Sequence, residues 1–471
     1  MAKKILYTYF IFTFLSLWIG IITHTYSLLL VPFLLWLIAQ SILDFRIPYF
    51  LLIACIPLSI EYHISPSLGL DLPTEPILIG LTGVYILFIF VDKNAFDKQK
   101  MLQNPLIYLL LLGWIWAGIS TFFSTVGIVS VKWLLAKTWY LLTCIGISML
   151  VFKEKNAFKT FYFCLISPLL FTIIWALWGQ AHDHFSFQLV NKALSPFYRN
   201  HVNYASLLAL SFPFVWYGKK HLQNLRMGNV IWLFSAILML LGIYFSYTRI
   251  AYIALLIAPI AYFIIRFKAM KMSLIVLSFL VVGGISYLLY DNNYMNISPK
   301  YEKTISPKDF NSLWKATYEG QDVSSMERVN RWVAGRRMAG EHLWAGFGPN
   351  SFYPQYQQYA LADFRTYVSF NKEASTVHCY YFLILLEQGL PGFLLFMAFI
   401  FVFLLKGEKI YHQQLDSESR EIVMTALLSQ IIILVILLFN DMIETDKVGI
   451  LFYINVAILY RKEQFASLRP S

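Results

Sequence analysis

Charge is what this chain has least of. Only 13% of its 471 residues are Asp, Glu, Lys or Arg, where a soluble fold carries about a quarter. Hydrophobic residues make up 58%, so lipid has to take the place of water around most of the surface. Cysteine is nearly absent too. Cys55, Cys144 and Cys164 lie inside apolar runs and Cys379 sits near the end of one, with no CxxC and no metal-ligand spacing. That excludes a disulfide framework and a zinc site, and no metal or cofactor is expected. A small-residue cleavage site is missing after the first apolar run, so the N-terminus reads as a retained anchor. Internal repeats and low-complexity tracts are not evident.

A net charge of +11 would suit nucleic acid only if the cations shared one face. They do not. They fall in short clusters between apolar runs: Lys3/Lys4, Lys93/Lys98/Lys100, Lys153/Lys155/Lys159, Lys219/Lys220/Arg226, Arg266/Lys268/Lys271, Lys406/Lys409 and Arg461/Lys462. This is the cytoplasmic-loop bias of membrane insertion, and it points away from nucleic acid as a partner.

What is present is a series of apolar runs near the length of about 20 residues that crosses a bilayer. They are 5–22, 26–43, 47–61, 76–91, 105–123, 126–151, 160–178, 201–217, 229–246, 250–266, 272–290, 379–405, 421–440 and 447–460. The expected fold is all-α, a polytopic membrane helix bundle of about 12–14 transmembrane helices with one large external loop of short helices. Residues 1–290 form the first part of the bundle, 291–377 the loop, and 378–471 the last part with a short cytoplasmic tail. With Lys3/Lys4 inside, the inside loops are 44–46, 92–104, 152–159, 218–228, 267–271, 406–420 and 461–471, and every one holds Lys or Arg. Residues 61–75, expected outside, hold neither.

The loop begins polar. Its second half, SSMERVNRWVAGRRMAGEHLWAGFGPNSFYPQYQQY, reads as an amphipathic helix broken at Gly346 and Gly348, with Trp332, Met338 and Leu343 as its apolar contacts. It is expected to fold back over the outer face as a lid does.

Four groups fall at that face. Arg199-Asn200-His201 opens the eighth span, where Arg199 is either an interfacial anchor or a planar fork for phosphate oxygens. Ser246-Tyr247-Thr248-Arg249 joins two spans so tightly that Arg249 is held at the membrane boundary, against the positive-inside bias. Arg328, Arg331 and Trp332 share a helix face at i, i+3 and i+4, whereas Arg336 and Arg337 read as a solvated pair. Ser375-Thr376-Val377-His378 precedes the twelfth span, and a His at a helix start tends to stay neutral and able to take a proton. A lone His there is more often structural; separated arginines in the same compartment raise its interest. Lys137 lies too deep in the sixth span to snorkel easily and needs an interior partner or ligand; Lys132 can snorkel, and Glu387 is a candidate partner for Lys137.

Outward arginines, a membrane-level lysine and one candidate base suit a substrate with an anionic head and a lipidic tail. A diphosphate-linked lipid fits: arginines clamp the phosphates, the tail lies between helices, and the base activates an acceptor hydroxyl.

The strings RNHVNYASLLAL (199–210), SYTRIAYIALL (246–256), ERVNRW…GFGPNSF (327–352), STVHCYYFLILLEQGLPG (375–392) and DLPTEPILIG (71–80) resemble the bacterial O-antigen ligase and O-antigen polymerase family, mainly over 190–400. The resemblance implies a metal-independent glycosyltransferase of the GT-C type in the bacterial inner membrane, with its site facing the periplasm. Its donor would be a glycan on undecaprenyl diphosphate. Its acceptor would be a hydroxyl of lipid A-core (ligase), of the growing glycan (polymerase), or of a protein Ser/Thr (oligosaccharyltransferase). Carried over, diphosphate-binding falls to Arg249, Arg328 or Arg331, with Arg199 as a further member, and acceptor activation to His378. Lys137 joins the diphosphate set on its depth alone. Two departures stand out: fourteen apolar runs against the family's usual twelve or so, and Cys379 where members often have Asn. From another class, a lipid-linked glycan transporter or flippase is the competing reading, disfavoured by the arginine-bearing external loop and the lack of an inverted repeat.

Overall fold

The computed structural model describes residues 43–65, 68–91, 98–154, 156–223, 225–297, 318–366 and 376–467, with isolated positions at 15, 32, 36, 39–41, 315, 316 and 369. The first two expected spans, the cluster Lys3/Lys4, Lys93, Ser375 and most of the polar start of the loop lie outside the described residues.

Each of the other twelve apolar runs contains a helix, although the run 47–61 is helical only to Leu58 and ends in a strand that starts at Ile60. The helices are α1 (Arg46–Cys55), α2 (Thr74–Val91), α3 (Pro105–Phe122), α4 (Gly127–Val151), α5 (Ala157–His182), α6 (His201–Tyr217), α7 (Gly228–Tyr244), α8 (Arg249–Arg266) and α9 (Met270–Leu289). After the loop helix α10 (Val323–Glu341) come α11 (Tyr380–Gln413), α12 (Ser417–Ile436) and α13 (Asp446–Ser467). Eight of the described helices are long and apolar enough to cross a membrane, so the protein is an all-α polytopic bundle. One element departs from helix. Residues 60–72 form an antiparallel hairpin, β1 (Ile60–Ser65) against β2 (Leu68–Leu72), in the register Ile60↔Leu72 and Tyr62↔Leu70.

Several helix starts are written in the sequence. Asn104 accepts the Leu106 N–H ahead of Pro105, Asn200 accepts that of Asn203, Asp322 that of Ser325 and Asp416 that of Ser419. Each side chain satisfies a backbone donor that the helix itself cannot. α12 is the axis of the bundle: α6, α8 and α13 pack along it and 78% of its apolar window is buried, against none of the window that begins in α9. Apolar all round and little covered by the described residues, α9 suits direct contact with lipid.

Loops sort into two groups by their contacts. At one end, the Asp446 carboxylate accepts the hydroxyls of Ser59 (2.5 Å) and Thr74 (2.7 Å), Arg199 faces Glu61 (3.8 Å), Tyr247 Oη donates to Phe185 O (2.7 Å), and Ser130 Oγ donates to Pro349 O (2.6 Å). At the other, Arg46 pairs with Glu154 (3.4 Å), Lys406 with Glu463 (2.9 Å), Lys462 Nζ with Ser419 Oγ (2.9 Å), and the Met270 N–H with Glu408 (3.0 Å). The first group joins loops that the charge pattern assigns outside, the second loops that it assigns inside.

Candidate functional site

The described half of the long loop is built onto α11. That helix is interrupted where Gly389 takes φ +69° and ψ −172°, two residues before Pro391. The interruption frees backbone groups that the loop then uses. Phe347 N–H donates to Leu386 O (2.9 Å), Gly348 N–H to Glu387 O (2.8 Å), and Leu390 N–H to Leu343 O (2.7 Å). The Glu387 carboxylate accepts the N–H groups of Asn350 (2.8 Å) and Phe352 (3.1 Å). Glu387 is therefore the anchor of the GFGPNSF segment, which corrects the expectation that it pairs with Lys137. Close approach explains the glycines: a Cβ on Gly389 would stand 2.1 Å from Trp344 O, and one on Gly348 2.3 Å from Ser124 Cβ. Leu343, expected as an apolar contact of the loop helix, is exposed, because that helix ends at Glu341; Met338 is fully buried and Trp332 partly so.

α10 positions the candidate base. Arg331 Nη1 donates to Thr376 O at 2.8 Å and Trp332 Nε1 to Val377 O at 3.0 Å, so successive residues of one helix grip successive carbonyls of the strap before α11. His378 follows in the left-handed region at φ +53°, its N–H donating to Thr376 Oγ1 at 3.2 Å. Its Nδ1 is buried with no hydrogen-bond partner among the described residues. Burial, and then the positive charges of Arg328 and Arg331, push the imidazole down to about 3, so it is neutral at physiological pH. Arg328 is pushed down to about 10 by burial and by Arg249, a shift that Asp322 opposes and Arg331 adds to. Its Nη1 bonds Ser324 O (3.3 Å) and Oγ (3.1 Å), while its Nε is buried and unbonded among the described residues.

Arg249 arrives from the bundle. The Ser246-Tyr247-Thr248 turn is closed by Ser246 Oγ donating to Ile243 O (2.6 Å), with Tyr247 at φ +55°, and Arg249 becomes the first residue of α8. Its Nη2 donates to Asp322 at 3.0 Å. Arg328 and Arg331 thus act on His378, and Arg249 and Arg331 on Arg328.

The remaining candidates have other direct partners. Arg199 is exposed and faces Glu61 (3.8 Å), with Asp441 also within its field. Lys137 pairs with Glu444 at 3.0 Å, and Trp133 Nε1 donates to the same carboxylate at 2.9 Å. Lys137 also lines an apolar cavity of about 80 Å³ between α3, α4, α11 and α13. Arg336 stacks over Tyr294 (4.6 Å) and Arg337 donates to Tyr359 O (2.8 Å); both are exposed, as a solvated pair should be.

Sequence reasoning missed two buried carboxylates of the loop, Asp322 and Glu327. Glu327 lies 3.6 Å from Arg331, accepts Thr366 Oγ1 at 2.6 Å, and also accepts the hydroxyl of Ser369. Asp322 carried a legible signal, as Asp-x-x-Ser ahead of a helical pattern is an N-terminal cap. Among the described residues no three His, Cys, Asp or Glu side chains form a metal-binding group.

Residues 234–397 match the family model described as O-Antigen ligase. The matched segment contains Arg249, Arg328, Arg331 and His378 and leaves out Arg199 and Lys137. No curated protein matches the chain.

Proposed function

We propose that the chain, whose residues 234–397 match the family model described as O-Antigen ligase, transfers a glycan from undecaprenyl diphosphate to an acceptor hydroxyl on the periplasmic face of the bacterial inner membrane, with lipid A-core as the acceptor. The observation that carries this reading is the field on His378. Arg328 and Arg331 both bear on its imidazole, and Arg249 bears on Arg328. A neutral base and three guanidiniums gathered by one helix match the needs of an in-line displacement with a diphosphate leaving group.

In that reaction the acceptor oxygen attacks the anomeric carbon while His378 takes the hydroxyl proton. The bond from the anomeric carbon to the phosphate oxygen breaks, and the diphosphate leaves with the electron pair, its charge met by Arg249 and Arg328. A single displacement inverts the carbon, and none of the four sequence motifs holds a carboxylate pair of glycosidase type for a glycosyl-enzyme intermediate. Arg331 serves by holding Thr376 O, and so His378, in place. A pKa near 3 makes a weak base. Donor phosphates bring negative charge to the same arginines, which raises the imidazole toward the working pH.

Reconstitution tests this. Purified protein in lipid, given an undecaprenyl-diphosphate glycan and lipid A-core, should form the linked product. Arg249→Ala and His378→Ala should remove it while leaving the protein inserted; full transfer by either variant discards the assignment. In cells, loss of the gene product should leave long lipid-linked glycan unattached. Accumulation of single-repeat chains instead would make the protein a polymerase.

A further inference from the structure

Asp322 has no part in the displacement just described, yet it is 1% exposed and charged. One oxygen, Oδ2, accepts the Ser325 N–H (3.1 Å), the Ser325 hydroxyl (2.6 Å) and Arg249 Nη2 (3.0 Å). Capping α10 does not need a carboxylate, because Asn or Ser caps a helix about as well. The charge answers another need. Arg249, Arg328 and Arg331 stand in a partly desolvated site, and buried cations without counter-charge are strongly unfavourable. Glu327 is taken up by Arg331, Thr366 and Ser369, which leaves Asp322 as the counter-charge that acts on both Arg249 and Arg328.

We propose that Asp322 is an internal stand-in for the donor's diphosphate, a positioning residue that holds the Arg249 guanidinium and yields it when phosphate oxygens arrive. The proposal rests on the reading of Arg249 as a diphosphate ligand. A diphosphate brings more negative charge than one carboxylate and can bind a guanidinium through two parallel hydrogen bonds, whereas Asp322 reaches one terminal nitrogen. The exchange leaves Asp322 bonded to Ser325, so α10 stays capped while it is released from α8. Because Arg331 and Trp332 on α10 hold the carbonyls of Thr376 and Val377, that release carries donor occupancy to the strap bearing His378.

The test is binding of undecaprenyl diphosphate to the full chain in nanodiscs, with wild type, Arg249→Ala, Asp322→Asn and Asp322→Ser compared. Arg249→Ala should weaken binding by about tenfold or more. Asp322→Asn and Asp322→Ser keep a cap but remove the competing charge, and should tighten binding by about threefold or more while transfer turnover falls. If Arg249→Ala weakens binding but both Asp322 variants bind as wild type or worse, Asp322 only caps α10 and the proposal is overturned. If Arg249→Ala binds as wild type, the diphosphate assignment itself fails, a separate result. Should the Asp322 variants not fold, amide exchange of the wild type decides. Adding undecaprenyl diphosphate should raise exchange over residues 318–328, and unchanged or reduced exchange there overturns the stand-in.

Discussion

Arg331 donates to the backbone carbonyl of Thr376 at 2.8 Å, and through that bond a helix of the long loop sets the position of His378. The guanidinium is almost completely buried, lies 3.6 Å from Glu327 and stacks over Tyr356 at 5.7 Å. It is better placed to orient the base than to meet a solvent-accessible phosphate.

Arg331→Lys is therefore expected to separate positioning from charge. Lys keeps the cation but loses the planar fork. Turnover should fall by about tenfold to a hundredfold with donor KM little changed, as steady-state kinetics on reconstituted protein would show. A rise in donor KM at constant turnover would make Arg331 a phosphate ligand instead.

His378 sets a pH signature. Its folded pKa of about 3 lies below the ordinary 6.5, so across that interval the unfolded chain binds more protons than the folded one. The stability contribution is complete above the ordinary value and is lost as pH falls through the interval. Thermal melts of wild type and His378→Gln should diverge in acid slope between those limits. Imidazole NMR should show the pKa rising when undecaprenyl diphosphate is added; a fall would contradict the mechanism.

Gly389→Ala and Gly348→Ala should each destabilise the loop's seat on α11. Both positions have positive φ, at +69° and +94°, and both meet neighbouring atoms at under 2.5 Å from an added Cβ. Left-handed strain alone costs about 1–3 kcal/mol, and the clashes add to it. A lowered midpoint with faster proteolysis within 343–366 is the expected readout, with insertion unaffected.

Glu387→Gln keeps the size of the side chain but replaces one accepting oxygen with an NH2 group, which cannot serve both Asn350 and Phe352. The segment around GFGPNSF should exchange its amides faster, and transfer should fall without loss of donor binding. Unchanged exchange would remove Glu387 as the anchor.

Buried Lys137 and partly exposed Glu444 form a pair whose members should be worth more together than apart. Removing one partner leaves the other charge uncompensated in a partly desolvated place, whereas neutralising both removes that penalty. Lys137→Met with Glu444→Gln should accordingly be more stable than Lys137→Met alone, measured by thermal melts in one detergent.

Much of this architecture was open to reading without coordinates. Hydropathy and charge are local quantities, so the twelve apolar runs outside the N-terminal region each contain a helix, and loops sharing an expected side contact one another. The hairpin over 60–72 went unread because the stretch is short and polar in places, although Ile60, Tyr62, Leu70 and Leu72 alternate as a strand pair does. Residue types also pointed to Arg249, Arg328 and His378 as members of one compartment.

Partnership is what only the tertiary structure decided. Arg249 and Asp322 are 73 positions apart, Lys137 and Glu444 more than three hundred, and Glu387 serves amides on a loop that precedes it. Which cation meets which carboxylate depends on how helices cross and where α11 breaks at Gly389. Periodicity encodes neither, because a side chain's spacing along its own helix says nothing about the element packed against it. The sequence determined a lipid-solvated bundle with its polar chemistry at one end; packing determined that α10 and its cap bond both Arg249 and the strap bearing His378.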